Sequence, residues 1–389
     1  MKKLFTVALV LGLSIGLFMG CQRSSESKPQ AAAAKTNIKI GMVNPMTGIA
    51  ATYGQSHLKG MQLLMADINA AGGIDGHQLE IVTYDDAGDP QQAAAGAQKF
   101  ADDQSIVAMV GSCLSSSTLA MIPIIDKAKL PDLVVSSSAA SLEGCSPSFF
   151  RMSVQDNKVG GEIGNTIADT LKAKTCVILY PNNDYGKGLE ASIRKTLEDK
   201  DVKVLQSFSY LATDQDFQAM LTTVKNLKHD AIAFCGTYTD GGLIVKQARQ
   251  IGITSPFVGG TGPNSPKFIE IGGEAVEGFI FLGSFVPTNP DPKTQDFVSK
   301  FKAKFGEEPD NFAALAYDQM KVLQDSITRA MKANNGVVTR DTLREALKSC
   351  NVEGVTGIVT FDSENEWTRP YLKIQVKNGQ FVVYNPPAS

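Results

Sequence analysis

Two doubly wound α/β lobes of parallel strands are predicted by three features of this 389-residue sequence. Apolar runs of strand length alternate with amphipathic helical patterns over residues 38–135, and the rhythm restarts at Asn157. Right-handed crossovers then place helices on both faces of each sheet. From about Thr288 the chain carries helices and then strands, with no glycine-rich or low-complexity linker setting that part off. It is too thin for a third domain, so its helices are expected to return to the first lobe and its hairpin to finish the second. That arrangement requires several chain crossings, a hinge and a cleft.

Residues 38–43 read as the first strand and Asn44-Pro45-Met46-Thr47-Gly48 as a turn. A helix to about Ala70 follows, with Leu58, Met61, Leu64, Met65 and Ile68 at three-to-four spacing and a stop at residues 72–76. Residues 79–84 are the next strand, followed by a helix from Pro90 through Phe100. The apolar run 107–111 and strand 133–135 lead into Ser136, Ser137 and Ser138 and complete the first lobe. In the second half, strands are expected at 176–180, 202–207, 231–234 and 257–258, with helices at 157–171, 189–197, 217–227 and 243–251. Helical patterns at 294–305, 312–331 and 339–347 precede strand-rich 358–384, where Lys377-Asn378-Gly379-Gln380 is a hairpin turn.

The stretch from Val107 to Thr118 carries the functional suggestion. A strand ends at Gly111, hydroxyl residues Ser115, Ser116, Ser117 and Thr118 follow, and a helical pattern covers 119–128. Strand, polar turn and helix place a site at the carboxyl edge of a parallel sheet. Free N–H groups at a helix start favour an anion, so a carboxylate clamp is one reading. Simple helix capping by the same hydroxyls is the other.

The first twenty residues stand apart. Lys2 and Lys3 precede an apolar run over 4–19, the pattern of a secretory leader. Leu17-Phe18-Met19-Gly20-Cys21 resembles a bacterial lipobox, which implies lipidation of Cys21; bulky Phe18 and Met19 depart from that pattern. Plain secretion or an uncleaved anchor are the alternatives. Residues 21–36 are small and polar, as in a flexible tether. Without the leader the net charge is about −5, and no basic cluster interleaved with aromatics points to nucleic acid.

Beyond Cys21, five cysteines remain, and none has C-x-x-C spacing. Cys113 and Cys145 both sit near turns on one side of the expected sheet and form the candidate disulfide; five buried thiols is the alternative. Only His57, His77 and His229 are available to activate a nucleophile, and no Gly-x-Ser-x-Gly elbow, phosphate loop or metal-ligand spacing occurs. An enzyme, a cofactor and a metal are therefore not expected. His77 and His229 are expected at the surface; His57, in the first helix near the cleft, reads as solvated, with a ligand contact as the alternative.

Longer tokens carry a resemblance: residues 66–74 (Ala-Asp-Ile-Asn-Ala-Ala-Gly-Gly-Ile), Tyr84-Asp85-Asp86 through Asp89-Pro90, residues 114–118, residues 183–188 (Asn-Asp-Tyr-Gly-Lys-Gly), and Lys246-Gln247-Ala248-Arg249 before Gly252. In order and spacing the chain from about Ile38 to Gln380 resembles type I periplasmic binding proteins, specifically the leucine/isoleucine/valine-binding receptors of ABC importers. The resemblance implies two lobes on a three-strand hinge, residues 37–154 with 286–362 and residues 155–285 with 363–389. It implies an amino acid bound in the cleft by hinge closure, an ABC permease as partner, a lipid-anchored monomer in the periplasm or cell envelope, and no nucleic acid. A sensor reporting to a signalling partner is possible on the same fold.

By the same resemblance, Ser115 and Ser116 hold the ligand carboxylate, Ser138, Ala139 and Ala140 contact both ends of the zwitterion, and Tyr53, Tyr185 and Tyr238 wall the pocket. The acid that anchors the ammonium falls on Thr261, and a threonine contact falls on Ala140, so both usual ammonium contacts are altered together. Asp240 is a candidate substitute. A carboxylate lacking an amine and an amide- or urea-like ligand are therefore alternatives. The family's disulfide partners fall on Gly88 and Leu114, and both cysteines are absent.

Overall fold

Residues 35–367 and 371–385 are described by a computed structural model. The leader, Cys21 and the tether through residue 34 lie outside the described residues.

The first lobe is built from β1 (Ile38–Asn44), α1 (Ala51–Ala70), β2 (Leu79–Asp85), α2 (Pro90–Asp102), β3 (Ile106–Gly111), α3 (Ser115–Ala128), β4 (Asp132–Val134) and β5 (Phe149–Arg151). Its sheet is parallel throughout, in the order β2-β1-β3-β4-β5. β1 is buried along nearly its whole length, which is why its sequence is apolar with little alternation.

The chain then crosses and repeats the winding. The second lobe contains α4 (Asp156–Asn165) with a π turn at Thr166–Thr170, β6 (Thr175–Pro181), α5 (Asp184–Asp199), β7 (Lys203–Tyr210), α6 (Gln218–Asn226) and β8 (Ala231–Phe234). It continues through α7 (Tyr238–Gln250), β9 (Phe257–Gly259), α8 (Pro266–Gly272) and β10 (Ile280–Gly283). The order β7-β6-β8-β9-β10 is the first lobe's order with new strands. β5 and β10 were not predicted: each is three or four residues long and wholly buried, so neither shows alternation.

After β10 come α9 (Pro292–Phe305), α10 (Asn311–Ala333), α11 (Arg340–Lys348), the small pair β11 (Val352–Glu353) and β12 (Ile358–Val359), then β13 (Leu372–Lys377) and β14 (Gln380–Val383). α10 and α11 lay Leu315, Met320, Leu323, Leu343 and Leu347 into one core with Ile40, Met42 and Met61 of the first lobe. α1 and α10 cross so closely that a β-carbon at Gly60 would sit 2.2 Å from the Ala313 carbonyl. β13 pairs antiparallel with β10, and Asn378 (φ 53°) and Gly379 (φ 67°) turn the chain into β14 as the Asn-Gly signal requires.

The last crossing comes later than the expected boundary at 362/363. Trp367 still fills the first-lobe core, and Glu366 pairs with Arg151 at the end of β5. Those two contacts hold the segment on the first lobe.

Candidate functional site

A cavity of about 290 Å3 lies between the carboxyl ends of the parallel strands of the two sheets. The turns and helix starts that follow the first-lobe strands contribute Ile49 and Tyr53 after β1, Gly88 and Pro90 after β2, Cys113 to Ser116 after β3, and Ser136 and Ser138 after β4. The turns and helix starts that follow the second-lobe strands contribute Asn183 and Tyr185 after β6, Ala212 and Thr213 after β7, Thr237 after β8, and Thr261 and Gly262 after β9. Phe312, at the start of α10, closes one side. Crevices outside the carboxyl ends of strands are where open α/β sheets bind ligands.

Of the predicted site residues, Tyr53, Ser115, Ser116, Ser138, Tyr185 and Thr261 line this cavity. The capping reading of the hydroxyl cluster does not hold. Leu114, in extended backbone, stands at the cap of α3 and supplies no side-chain cap, so the hydroxyls lie within the first turn. Thr118 is taken up structurally, by the Ser112 carbonyl and the Ser137 hydroxyl at 3.1 and 2.7 Å. Ser115 Oγ instead accepts the backbone N–H groups of Ser138 and Ala139, each at 3.2 Å, which ties the two hydroxyl loops into one polar corner.

Ala139, Ala140 and Tyr238 are not among the lining residues. The Ala139 carbonyl is turned away to accept Arg151 Nη1 at 2.8 Å, and Ala140 is exposed at the start of a 3-10 turn. Tyr238 packs edge-on against Tyr53, ring centroids 4.8 Å apart, and so backs the cavity wall.

The lobes touch around this cavity, and the cleft is closed. Tyr53 Oη donates to the Gly262 carbonyl at 2.6 Å. Tyr238 Oη donates to the Ile49 carbonyl at 3.0 Å and accepts from Thr52 N at 3.2 Å. Ser116 Oγ donates to Asp184 Oδ2 at 2.6 Å. Within the second lobe, Gly262 lets the loop after β9 pack on the loop after β8, because a β-carbon there would lie 2.3 Å from the Gly236 carbonyl.

Asp240 is not free to replace the missing acid. It reaches back to the Thr237 N–H at 2.8 Å, accepts the Thr237 hydroxyl at 2.6 Å, and accepts Tyr210 Oη at 2.5 Å. The Thr-x-x-Asp spacing of 237–240 is a capping-box signal that sequence reasoning passed over.

The Cys113–Cys145 disulfide is absent: both thiols are free. Cys113 sits at the cavity with its Sγ 3.8 Å from His57 Nδ1, whereas Cys145 packs on the separate cluster of Phe149, Leu142 and Met121. Burial holds both thiols protonated, Cys145 up to about 11.

His57 is not solvated. It is 1 % exposed, with Nδ1 2.8 Å from Asn44 Nδ2 and Nε2 2.6 Å from Gln319 Oε1. Burial lowers its pKa to about 4, so the folded chain keeps the ring neutral while the unfolded chain protonates it near the usual value. Its contribution is present above about pH 6.5 and lost as pH falls toward 4. Relative to His57→Gln, the wild type should lose about 3 kcal/mol of unfolding free energy between pH 7 and pH 4 in denaturant titrations. A constant difference across that range would contradict the assignment.

Asn183, Ala212, Thr213, Thr237 and Phe312 line the cavity without having been singled out. Asn183 caps α5 through the Gly186 N–H at 2.9 Å, a role that a turn sequence announces, whereas nothing local marks Ala212 or Phe312. Among the described residues, no group of three or more His, Cys, Asp or Glu side chains is placed to hold a metal ion. No helix among them is long and apolar enough to cross a membrane.

Comparison with known proteins follows the same geometry. Residues 37–380 match the periplasmic binding protein family. The leucine-, isoleucine-, valine-, threonine- and alanine-binding protein of Pseudomonas aeruginosa is 33% identical over 356 residues, 90% of each chain. The structure of the branched-chain amino acid transporter substrate binding protein LivJ from Streptococcus pneumoniae, in complex with isoleucine, superimposes with a TM-score of 0.82 at 33% identity, over 89% of this chain and 97% of that one. The leucine binding protein LivK from Thermotoga maritima gives a TM-score of 0.82 at 30% identity, over 90% and 98%. With its two like-wound lobes meeting at one cavity, the chain belongs to the periplasmic binding protein family and has the type I fold.

Proposed function

We propose that the chain is the extracytoplasmic receptor of an ABC importer and takes an amino acid, of branched-chain type, into the interlobe cavity by hinge closure. The observation that carries this reading is the composition of the cavity. A polar corner of Ser115, Ser116 and Ser138 at the uncapped start of α3 suits a carboxylate, and Pro90, Leu114 and Ala212 offer an aliphatic wall. The relatives' names add support: one binds leucine, isoleucine, valine, threonine and alanine, and another holds isoleucine. A carboxylate lacking an amine is the second reading, because Thr261 brings no charge to the cavity.

In this reading the ligand stabilises the closed form through contacts made only there, and a permease recognises that form. The leader directs export, Cys21 carries lipid, and residues 21–36 tether a monomer at the membrane, which raises its effective concentration beside the permease. Binding makes and breaks no covalent bond. Leucine, isoleucine or valine should raise the melting temperature, since a ligand specific for the native state stabilises it. Ser115→Ala should weaken that binding by about 1–2 kcal/mol in calorimetry; the empty variant stays folded but melts lower than the wild type, because the Ser138 and Ala139 N–H groups lose their acceptor. Unaltered affinity would remove Ser115 from the clamp, and the absence of any amino-acid response would remove the reading.

A further inference from the structure

We propose that His57 is a positioning residue for the ligand site: from behind the cavity wall its bare Nδ1 orients the Cys113 thiol, and through Cys113 the Ser136 hydroxyl. The inference rests on the cavity being the ligand site, as in the reading above, and adds a residue that sets part of its wall.

His57 lies one helical turn after Tyr53 on α1, and both are buried. At the level of Tyr53 the helix meets α10 through a ring contact, Tyr53 against Phe312 with centroids 4.4 Å apart. Further along both helices the contact turns polar, with His57 Nε2 2.6 Å from Gln319 Oε1. The same first-lobe core is otherwise filled by Met61, Leu315 and Met320, so volume alone does not call for a polar ring there.

Hydrogen-bond directions fix the tautomer. Gln319 Nε2 donates to the Leu133 carbonyl, so Oε1 is the end that meets His57. An amide oxygen only accepts, which puts the imidazole proton on Nε2. Nδ1 keeps its lone pair and accepts Asn44 Nδ2 at 2.8 Å. Cys113 Sγ lies 3.8 Å from the same nitrogen, and burial keeps that thiol protonated and so a donor. Cys113 is therefore pinned at both ends, because its carbonyl accepts the Ser136 hydroxyl at 3.2 Å. Cys113 and Ser136 line the cavity, whereas His57 does not. Asn44 at the end of β1 and Gln319 on α10 grip the ring from two sides. It cannot turn without leaving a buried polar group unpaired.

The test separates the two ring nitrogens. Asparagine places its amide oxygen near the position of Nδ1, and glutamine places its amide nitrogen near that of Nε2. In calorimetry with leucine, His57→Asn should keep affinity within about threefold of wild type while melting lower, and His57→Gln should lose about tenfold. In a Cys113→Ala background the loss caused by His57→Gln should shrink below about twofold, since the residue it acts through is gone. Leu323→Ala, an apolar truncation in the same core, should melt lower with leucine affinity unchanged. Equal losses for the two His57 variants, an undiminished loss without Cys113, or the same loss in Leu323→Ala would reduce His57 to a structural role and overturn the proposal. Imidazole nitrogen NMR spectra of the empty protein need no ligand. They should show His57 with a protonated Nε2 and a bare Nδ1, and a protonated Nδ1 would overturn the assignment by itself. If the spectra agree and the wild type binds no amino acid, the amino-acid reading fails while the ring assignment stands.

Discussion

Glu366→Gln is expected to lower the unfolding free energy by about 3–5 kcal/mol, measured by chemical denaturation. Arg151 and Glu366 are 0 % and 1 % exposed and meet through two parallel hydrogen bonds, with Gln155 Nε2 adding a third contact to Glu366 Oε2 at 3.2 Å. Neutralising the carboxylate leaves a guanidinium stranded in the interior, and the penalty is the desolvation of that charge. Replacing both partners with apolar residues should restore much of the stability, because the stranded charge is gone as well. Ligand affinity should not recover with it. Arg151 also holds the Ala139 carbonyl, and Ala139 N–H joins Ser138 N–H on Ser115 Oγ, so the pair fixes the second hydroxyl loop. A double variant that regains neither stability nor affinity, or regains both, would show that this pair is not the link between the hinge and the loop.

The same pair marks what the sequence could and could not disclose. Local signals read correctly: the strand–helix rhythm placed both sheets, Asn378-Gly379 placed the final hairpin, and Ser115 and Ser138 fell at the carboxyl ends of their strands. Contacts between distant segments stayed hidden. Arg151 and Glu366 are 215 residues apart, and Tyr53 and Gly262 are 209 apart, so no window of sequence contains either pair. The position of the last crossing depends on the first contact, and the closed cleft depends on the second. His57 was misplaced for a related reason: its partners are Asn44, one strand away, and Gln319, on a helix that returns from the far end of the chain. A lone histidine in an amphipathic pattern reads as solvated until that returning helix covers it.

Tyr238→Ala is expected to weaken ligand binding by about 3 kcal/mol, roughly a hundredfold, although Tyr238 is not a wall of the cavity. The residue belongs to the second lobe, but its ring meets Tyr53 at an interplanar angle of 88° and its hydroxyl bonds Ile49 and Thr52, all in the first. Those contacts exist only while the cleft is shut. Losing them penalises the closed state and spares the open one, so the closed fraction falls and apparent affinity falls with it. Calorimetry separates this from a lost ligand contact. A closure penalty is a property of the protein, so leucine, isoleucine and valine should all weaken by the same factor. A lost wall would cost the ligand that filled it most. Small-angle scattering adds a second readout: the empty variant should be more extended than the wild type and should contract at saturating ligand. Tyr238→Phe, which keeps the ring against Tyr53 and gives up only the hydroxyl bonds, should fall between the two. Ligand-dependent losses across the three amino acids would put Tyr238 back in the cavity wall and take closure out of its role.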